Sequence, residues 1–257
     1  MENELYSHII LIPLISLYLI WQERSKLPAV TGPFRRCALV LATLGVAMLA
    51  LLGLGLRSGN LPPENHLALT TLSMLFLLGA ICAWFLGRAR FRAVLFPLAF
   101  LLFMVPLPAE FLSSIETLLQ YGSAFVARGF FAVAGTTVYV AGLTFQLPGI
   151  TIEVAPECSG IHSTMALLIT SVLAGYFFLR SPSRRTVLAL AVIPLALLRN
   201  GLRVFVIGEL CVRIGPEMID SYIHRQGGPI FFVFSLIPFF FLLFWLARSE
   251  RRKPGPK

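Results

Sequence analysis

Apolar residues in this chain come in blocks matched to the thickness of a lipid bilayer, and that spacing limits the possible folds more than any other feature. A helix crossing a hydrocarbon core of about 30 Å needs about 20 apolar residues. Candidate spans lie at roughly 5–21, 37–56, 67–86, 93–106, 161–179, 186–207 and 229–247. The fourth is short and ends in Pro106 and Pro108. Composition points the same way, with 57% apolar and only 13% charged residues and a mean hydropathy of +0.84. A soluble domain carries about 25% charged residues, so too little polar surface remains here to coat a water-soluble globule. The expected fold is an all-α polytopic membrane protein with seven transmembrane helices.

The net charge of +9 does not indicate nucleic acid, because the basic residues cluster between the apolar blocks. With the N-terminus outside, the inside segments hold fifteen of the 21 Lys and Arg, and the outside segments hold four, Arg57, Arg128, Arg213 and Arg225. Arg199 and Arg203 fall within a span. Positive charge stays on the cytoplasmic side, so the expectation is a protein of the inner (plasma) membrane, N-terminus periplasmic and C-terminus cytoplasmic. No cleavable signal peptide is expected: Met1-Glu2-Asn3-Glu4 is acidic, and basic residues follow the first apolar block. Cys37, Cys82, Cys158 and Cys211 show neither metal-ligand spacing nor a disulfide framework. No metal and no cofactor are expected.

The organisation reads as one integral membrane domain over 1–247 and a basic cytoplasmic tail over 248–257. The long outside segment, 107–160, forms a periplasmic insert. Its first part, Ala109 to Gly135, mixes apolar residues with Glu110, Glu116, Gln120 and Arg128, which suggests one or two amphipathic helices at the membrane surface. Its second part, Thr137 to Val154, alternates, is rich in β-branched residues and contains Pro148-Gly149. That pattern predicts a short β-hairpin.

Three polar segments fall at the outer ends of consecutive spans: Glu153 to His162 containing Pro156-Glu157-Cys158-Ser159-Gly160, then Arg199-Asn200-Gly201-Leu202-Arg203, then Ser221 to Pro229 containing His224. Arg203 lies 17 residues beyond Thr186, roughly 26 Å along a helix, which puts it near the outer edge of the hydrocarbon. Cys158 and His224 precede helix starts on the same side, so the three share a depth.

Cys158 admits three readings. It is a small buried hydrophobe, one half of a disulfide to Cys211, or a nucleophile whose thiolate is favoured at a helix N-terminus. Glu153 and Glu157 oppose the thiolate, so the third reading needs a nearby cation. Arg203 could supply it, with Arg199 one turn away on the same face. The alternative for both arginines is snorkelling or pairing with Glu153 or Glu157. His224 suits proton transfer near neutral pH. His162, one turn after Cys158, competes for that role.

Taken together, Pro156-Glu157-Cys158-Ser159-Gly160-Ile161, Asn200-Gly201-Leu202-Arg203 and the histidine before the last span resemble the exosortase/archaeosortase family, over roughly residues 95–247. The resemblance implies a membrane-embedded cysteine transpeptidase with Cys158, Arg203 and His224 as its catalytic set, and the histidine fits the bacterial exosortase branch. Arg199, Asn200, Glu157 and His162 would support the site or bind substrate. The clients implied are exported proteins with a C-terminal sorting signal: a Pro-Glu-Pro-type motif, a transmembrane helix and a basic tail. They would be cleaved and passed to an unknown surface acceptor in cells that make extracellular polysaccharide. A transporter using Arg199 and Arg203 to bind an anion, and a non-catalytic scaffold of polysaccharide synthesis, stand as the other readings.

Overall fold

Proline and glycine decide where the long apolar stretches break. In the computed structural model, which describes residues 10–29, 32–58, 62–154, 159–220 and 227–252, the helices are α1 (Leu11–Glu23), α2 (Arg35–Ser58), α3 (Pro63–Ala93), α4 (Leu95–Phe100), α5 (Ala109–Ala134), α6 (Ile161–Phe178), α7 (Pro182–Leu190), α8 (Val192–Arg213) and α9 (Gly228–Arg252). A proline inside a helix lacks a donor and clashes with the carbonyl four residues earlier. The α3–α4 break at Val94 therefore precedes Pro97, and the α7–α8 break at Ala191 precedes Pro194. Gly87, at φ 71° and ψ 174°, interrupts α3 where its apolar run meets Arg88, Arg90 and Arg92.

Among the described residues, five helical stretches are long and apolar enough to cross a bilayer: Arg35–Arg57, Pro63–Ala93, Ile161–Phe178, Pro182–Arg213 and Gly228–Arg251. A sixth crossing exists if Leu95–Met104 and Ala109–Ala134 form one broken span. This is a multi-pass, all-α membrane protein. Seven crossings are not reached among the described residues, because α1 has only 13 residues and residues 5–9 of the expected first span lie outside them. The fourth block falls short for a local reason. It is a six-residue helix and a 3-10 turn, Leu101–Met104, stopped ahead of Pro106 and Pro108.

The chain divides into two compact units, residues 1–112 and 113–257. In the first, α2 and α3 pack as a hairpin through small residues. Ser73 donates its hydroxyl to the Gly45 carbonyl at 2.8 Å, a close approach of backbones typical of helix pairs in lipid. Ser16 of α1 likewise donates to the Pro97 carbonyl at 2.8 Å.

The second unit holds α6, α7, α8 and α9 around a core of Leu167, Leu188, Val192, Phe239 and Leu243. The stretch expected as one or two surface helices is one continuous helix, α5. Gln120, Ser123, Ala124, Ala127 and Phe131 form its buried stripe. Helix α5 runs alongside α8 in the same direction, because Gly122 meets Leu197, Gly201 meets Val126 and Ala127, and Gly208 meets Phe131.

The expected hairpin is present as half of a three-stranded antiparallel sheet, β1 (Tyr139–Ala141), β2 (Thr144–Leu147) and β3 (Ile150–Glu153). Leu147 pairs with Ile150 across the Pro148-Gly149 turn, where Gly149 at φ 83° supplies the positive φ of a type II turn. The second turn, Gly142-Leu143, joins β1 to β2. Phe145 opposite Ile152 makes the sheet's apolar face. It packs with Phe131, Val204, Ile207 and Cys211, on the C-terminal halves of α5 and α8.

Candidate active site

The start of α6 is a tight turn held by α8. Gly160 precedes the helix at φ 72°, ψ 22°, a left-handed conformation that residues with a Cβ adopt at a cost of about 1–2 kcal/mol. Space excludes them too, since a Cβ there would lie 2.5 Å from Asn200 Oδ1 and 2.7 Å from an Arg199 guanidinium nitrogen. Asn200 donates its Nδ2–H to the Ser159 carbonyl at 2.5 Å. Arg199 donates from Nη2 to the Gly160 carbonyl at 3.1 Å and to the Thr164 hydroxyl oxygen at 3.3 Å. Two consecutive residues of α8 thus hold two consecutive residues of the turn.

Three polar residues of this clasp are removed from solvent, with Ser159 at 1%, Asn200 at 3% and Arg199 at 6% exposure. Burying a guanidinium is expensive unless it is paired. Yet among the described residues Arg199 meets no carboxylate, and its Nη1 has no hydrogen-bond partner. Pairing with Glu153 is not formed; Glu153 is exposed. Arg203 lies one turn along α8, half-buried, so two positive charges share one face near this turn.

Ahead of the Cys158 segment in sequence, α5 provides a matching contact. Gln120, 7% exposed, donates its Nε2–H to the Val154 carbonyl at 3.0 Å. The Val154 N–H is also engaged, donating to the Leu143 carbonyl at 3.0 Å. The two residues that flank Ala155–Cys158 in sequence, Val154 and Ser159, are therefore each pinned by a side-chain amide, one from α5 and one from α8. Further along, the Thr136 hydroxyl donates to the Glu209 carboxylate. The other oxygen of that carboxylate accepts from Arg213 Nε at 2.7 Å, which ties the start of the sheet segment to the end of α8.

Of the residues singled out in the sequence, Arg199, Asn200, Arg203 and His162 are described, and Arg199 and Asn200 meet the turn that follows Cys158. Cys158, Glu157 and His224 lie outside the described residues. His162 is exposed in the first turn of α6. Cys211 is a free, buried thiol within the apolar cluster under the sheet, so the disulfide between Cys158 and Cys211 weighed as an alternative is not present. Its neighbours there, Phe131, Phe145 and Ile207, make it a packing residue.

Residues 1–241 match the family model described as transmembrane exosortase. The chain belongs to this family. The match takes in the N-terminal spans as well, whereas the sequence motifs alone reach back only to about residue 95. No curated protein and no solved structure matches the chain. In this exosortase-family chain, Gln120 and Thr164 contact the residues on either side of the motif turn although the motifs did not single them out. The signal for Gln120 was a polar residue in an otherwise small and apolar stripe, Ser123, Ala124, Ala127 and Phe131. That stripe becomes evident only once α5 is known to be one helix packed on α8.

Proposed function

We propose that this exosortase-family protein is a cysteine protease or transpeptidase. It would act on exported proteins whose C-terminus carries a Pro-Glu-Pro-type motif, an apolar helix and a basic tail. The observation that carries the reading is the clasp of Asn200 and Arg199 on Ser159 and Gly160. It joins the segment containing Cys158 to the segment containing Arg203, two parts of the motif set 41 residues apart at the Asn200–Ser159 bond. Buried amide and guanidinium donors are costly to assemble in a membrane span, and their convergence on the turn next to a cysteine favours a worked site over a packing contact.

In this reading the Cys158 thiolate attacks the scissile carbonyl carbon of the motif, forming a C–S bond while the carbonyl π electrons move onto oxygen. Arg203 stabilises that oxyanion. Collapse expels the amine of the downstream fragment, which takes a proton from the His224 imidazolium and leaves a thioester on Cys158. Neutral His224 then accepts a proton from the incoming acceptor, whose attack on the thioester releases the client and regenerates the thiolate. The acceptor is water in hydrolysis or a surface nucleophile in transfer.

The charge distribution supports an inner-membrane placement with the N-terminus outside, the C-terminus inside and the site at the outer face. A client with its own helix and basic tail would insert in the same sense, which holds its scissile bond at the level of the site. The test is co-expression with a reporter bearing such a C-terminus. Wild-type protein is expected to shorten the reporter, as read by intact mass, and Cys158→Ala is expected to leave it uncut while inserting normally. Equal shortening by the Cys158→Ala protein refutes the assignment.

A further inference from the structure

We infer that Gln120 is a positioning residue for the nucleophile, the α5 half of a two-sided amide clamp on the Cys158 segment; this rests on the function proposed above. Gln120 is a neutral amide on the buried stripe of a membrane-protein helix, among Ser123, Ala124, Ala127 and Phe131. Apolar side chains would serve packing alone there at lower cost, because an amide removed from water must be hydrogen-bonded to be tolerated. It donates to the carbonyl of Val154 at 3.0 Å, the last residue before Ala155–Cys158. At the far end of that segment, Asn200 makes the same kind of bond to the Ser159 carbonyl.

The clamp joins elements that packing already holds rigidly. Gly201 lets α8 approach Val126 and Ala127 of α5 within the distance of a missing Cβ, 2.6 Å to the nearest Val126 methyl and 3.1 Å to the Ala127 nitrogen. Both ends of the segment are thereby referred to one α5–α8 frame, the frame that also carries Arg203. A donor on each flank fixes the backbone of Val154 and Ser159, the residues between which Cys158 lies in sequence. Small errors of placement are amplified in rate, since a misalignment of about 1 Å can cost about a hundredfold.

The test uses full-length protein with Cys37, Cys82 and Cys211 changed to alanine, so that Cys158 is the one thiol. Gln120→Met keeps the volume and loses only the donor. Client turnover, normalised to folded protein, is expected to fall about tenfold with KM unchanged. The pH profile of maleimide labelling of Cys158 is expected to shift from the parent's, because in the proposed function the thiolate depends on its placement relative to Arg203. Wild-type turnover, or an unshifted labelling profile, overturns the inference.

If Gln120→Met fails to fold, Gln120→Glu carries the test. A protonated carboxyl can donate to the Val154 carbonyl and a carboxylate cannot, so turnover relative to the parent should rise as pH falls. A flat ratio overturns the inference. Cys158→Ala separates the two levels. If it still processes the reporter, the proposed function and this inference fall together. If it is inactive while Gln120→Met is fully active, only the inference falls.

Discussion

Asn200 reaches from the middle of α8 to the carbonyl of Ser159, 2.5 Å away, and both residues are almost wholly removed from solvent. The bond satisfies a buried carbonyl at the start of α6, one residue after Cys158. Changing Asn200→Leu keeps most of the volume and leaves that carbonyl without this donor, a loss of about 1–3 kcal/mol. The expected result is a lower thermal midpoint in detergent and weaker reporter processing than in the parent.

Gly160→Ala is expected to be worse. It adds a strained left-handed backbone, about 1–2 kcal/mol, to a collision with Asn200 Oδ1 at 2.5 Å and with the Arg199 guanidinium at 2.7 Å. Both clasping side chains must withdraw, so processing should be lost in protein that still reaches the membrane. Quantitative membrane-fraction blots beside reporter mass spectra check this.

Arg199→Met is expected to uncouple stability from activity. The acceptors that Arg199 uses are satisfied without it, since the Gly160 carbonyl also takes the Thr164 N–H at 2.9 Å and the Thr164 hydroxyl at 2.8 Å. Removing a buried charge that leaves no orphan behind is neutral or stabilising. The thermal midpoint should therefore hold or rise while processing drops at least about tenfold. A large drop in the midpoint would make Arg199 a structural residue.

Gly208→Ala tests the packing of α5 and the sheet on α8. Its Cβ would lie 2.5 Å from Phe131 Cζ and 3.1 Å from Leu147 Cδ1, an overpacking expected to cost about 1–3 kcal/mol. Phe131→Leu removes the ring end that collides, so the double variant should recover part of that loss. Midpoints from the four proteins of the cycle give the coupling directly, and additive losses would show that the contact is not what limits the packing.

Much of the architecture was legible from local chemistry. Block lengths located the long helices because a bilayer allows little else, and Pro148-Gly149 located one hairpin turn because few dipeptides suit it. The other turn, Gly142-Leu143, escaped notice because its single glycine lies in a run that alternates throughout. Prolines had effects that block length hides. Pro106 and Pro108 close the fourth block too early for it to cross alone, and Pro97 and Pro194 set breaks three residues ahead of themselves.

By itself the sequence determined that the chain is a multi-pass membrane protein, which segments are helical, and that Arg199, Asn200 and Arg203 fall within one apolar helix. Those properties depend on period, length and hydropathy, which are written along the chain. Only the tertiary structure decided that Asn200 and Arg199 grip Ser159 and Gly160, that Gln120 grips Val154, and that Cys211 is packed as a free thiol. Each depends on which helix lies beside which. In lipid that choice follows from close packing at small residues such as Gly201 and Gly208, because neighbouring helices and the surrounding tails are equally apolar and hydropathy does not tell them apart.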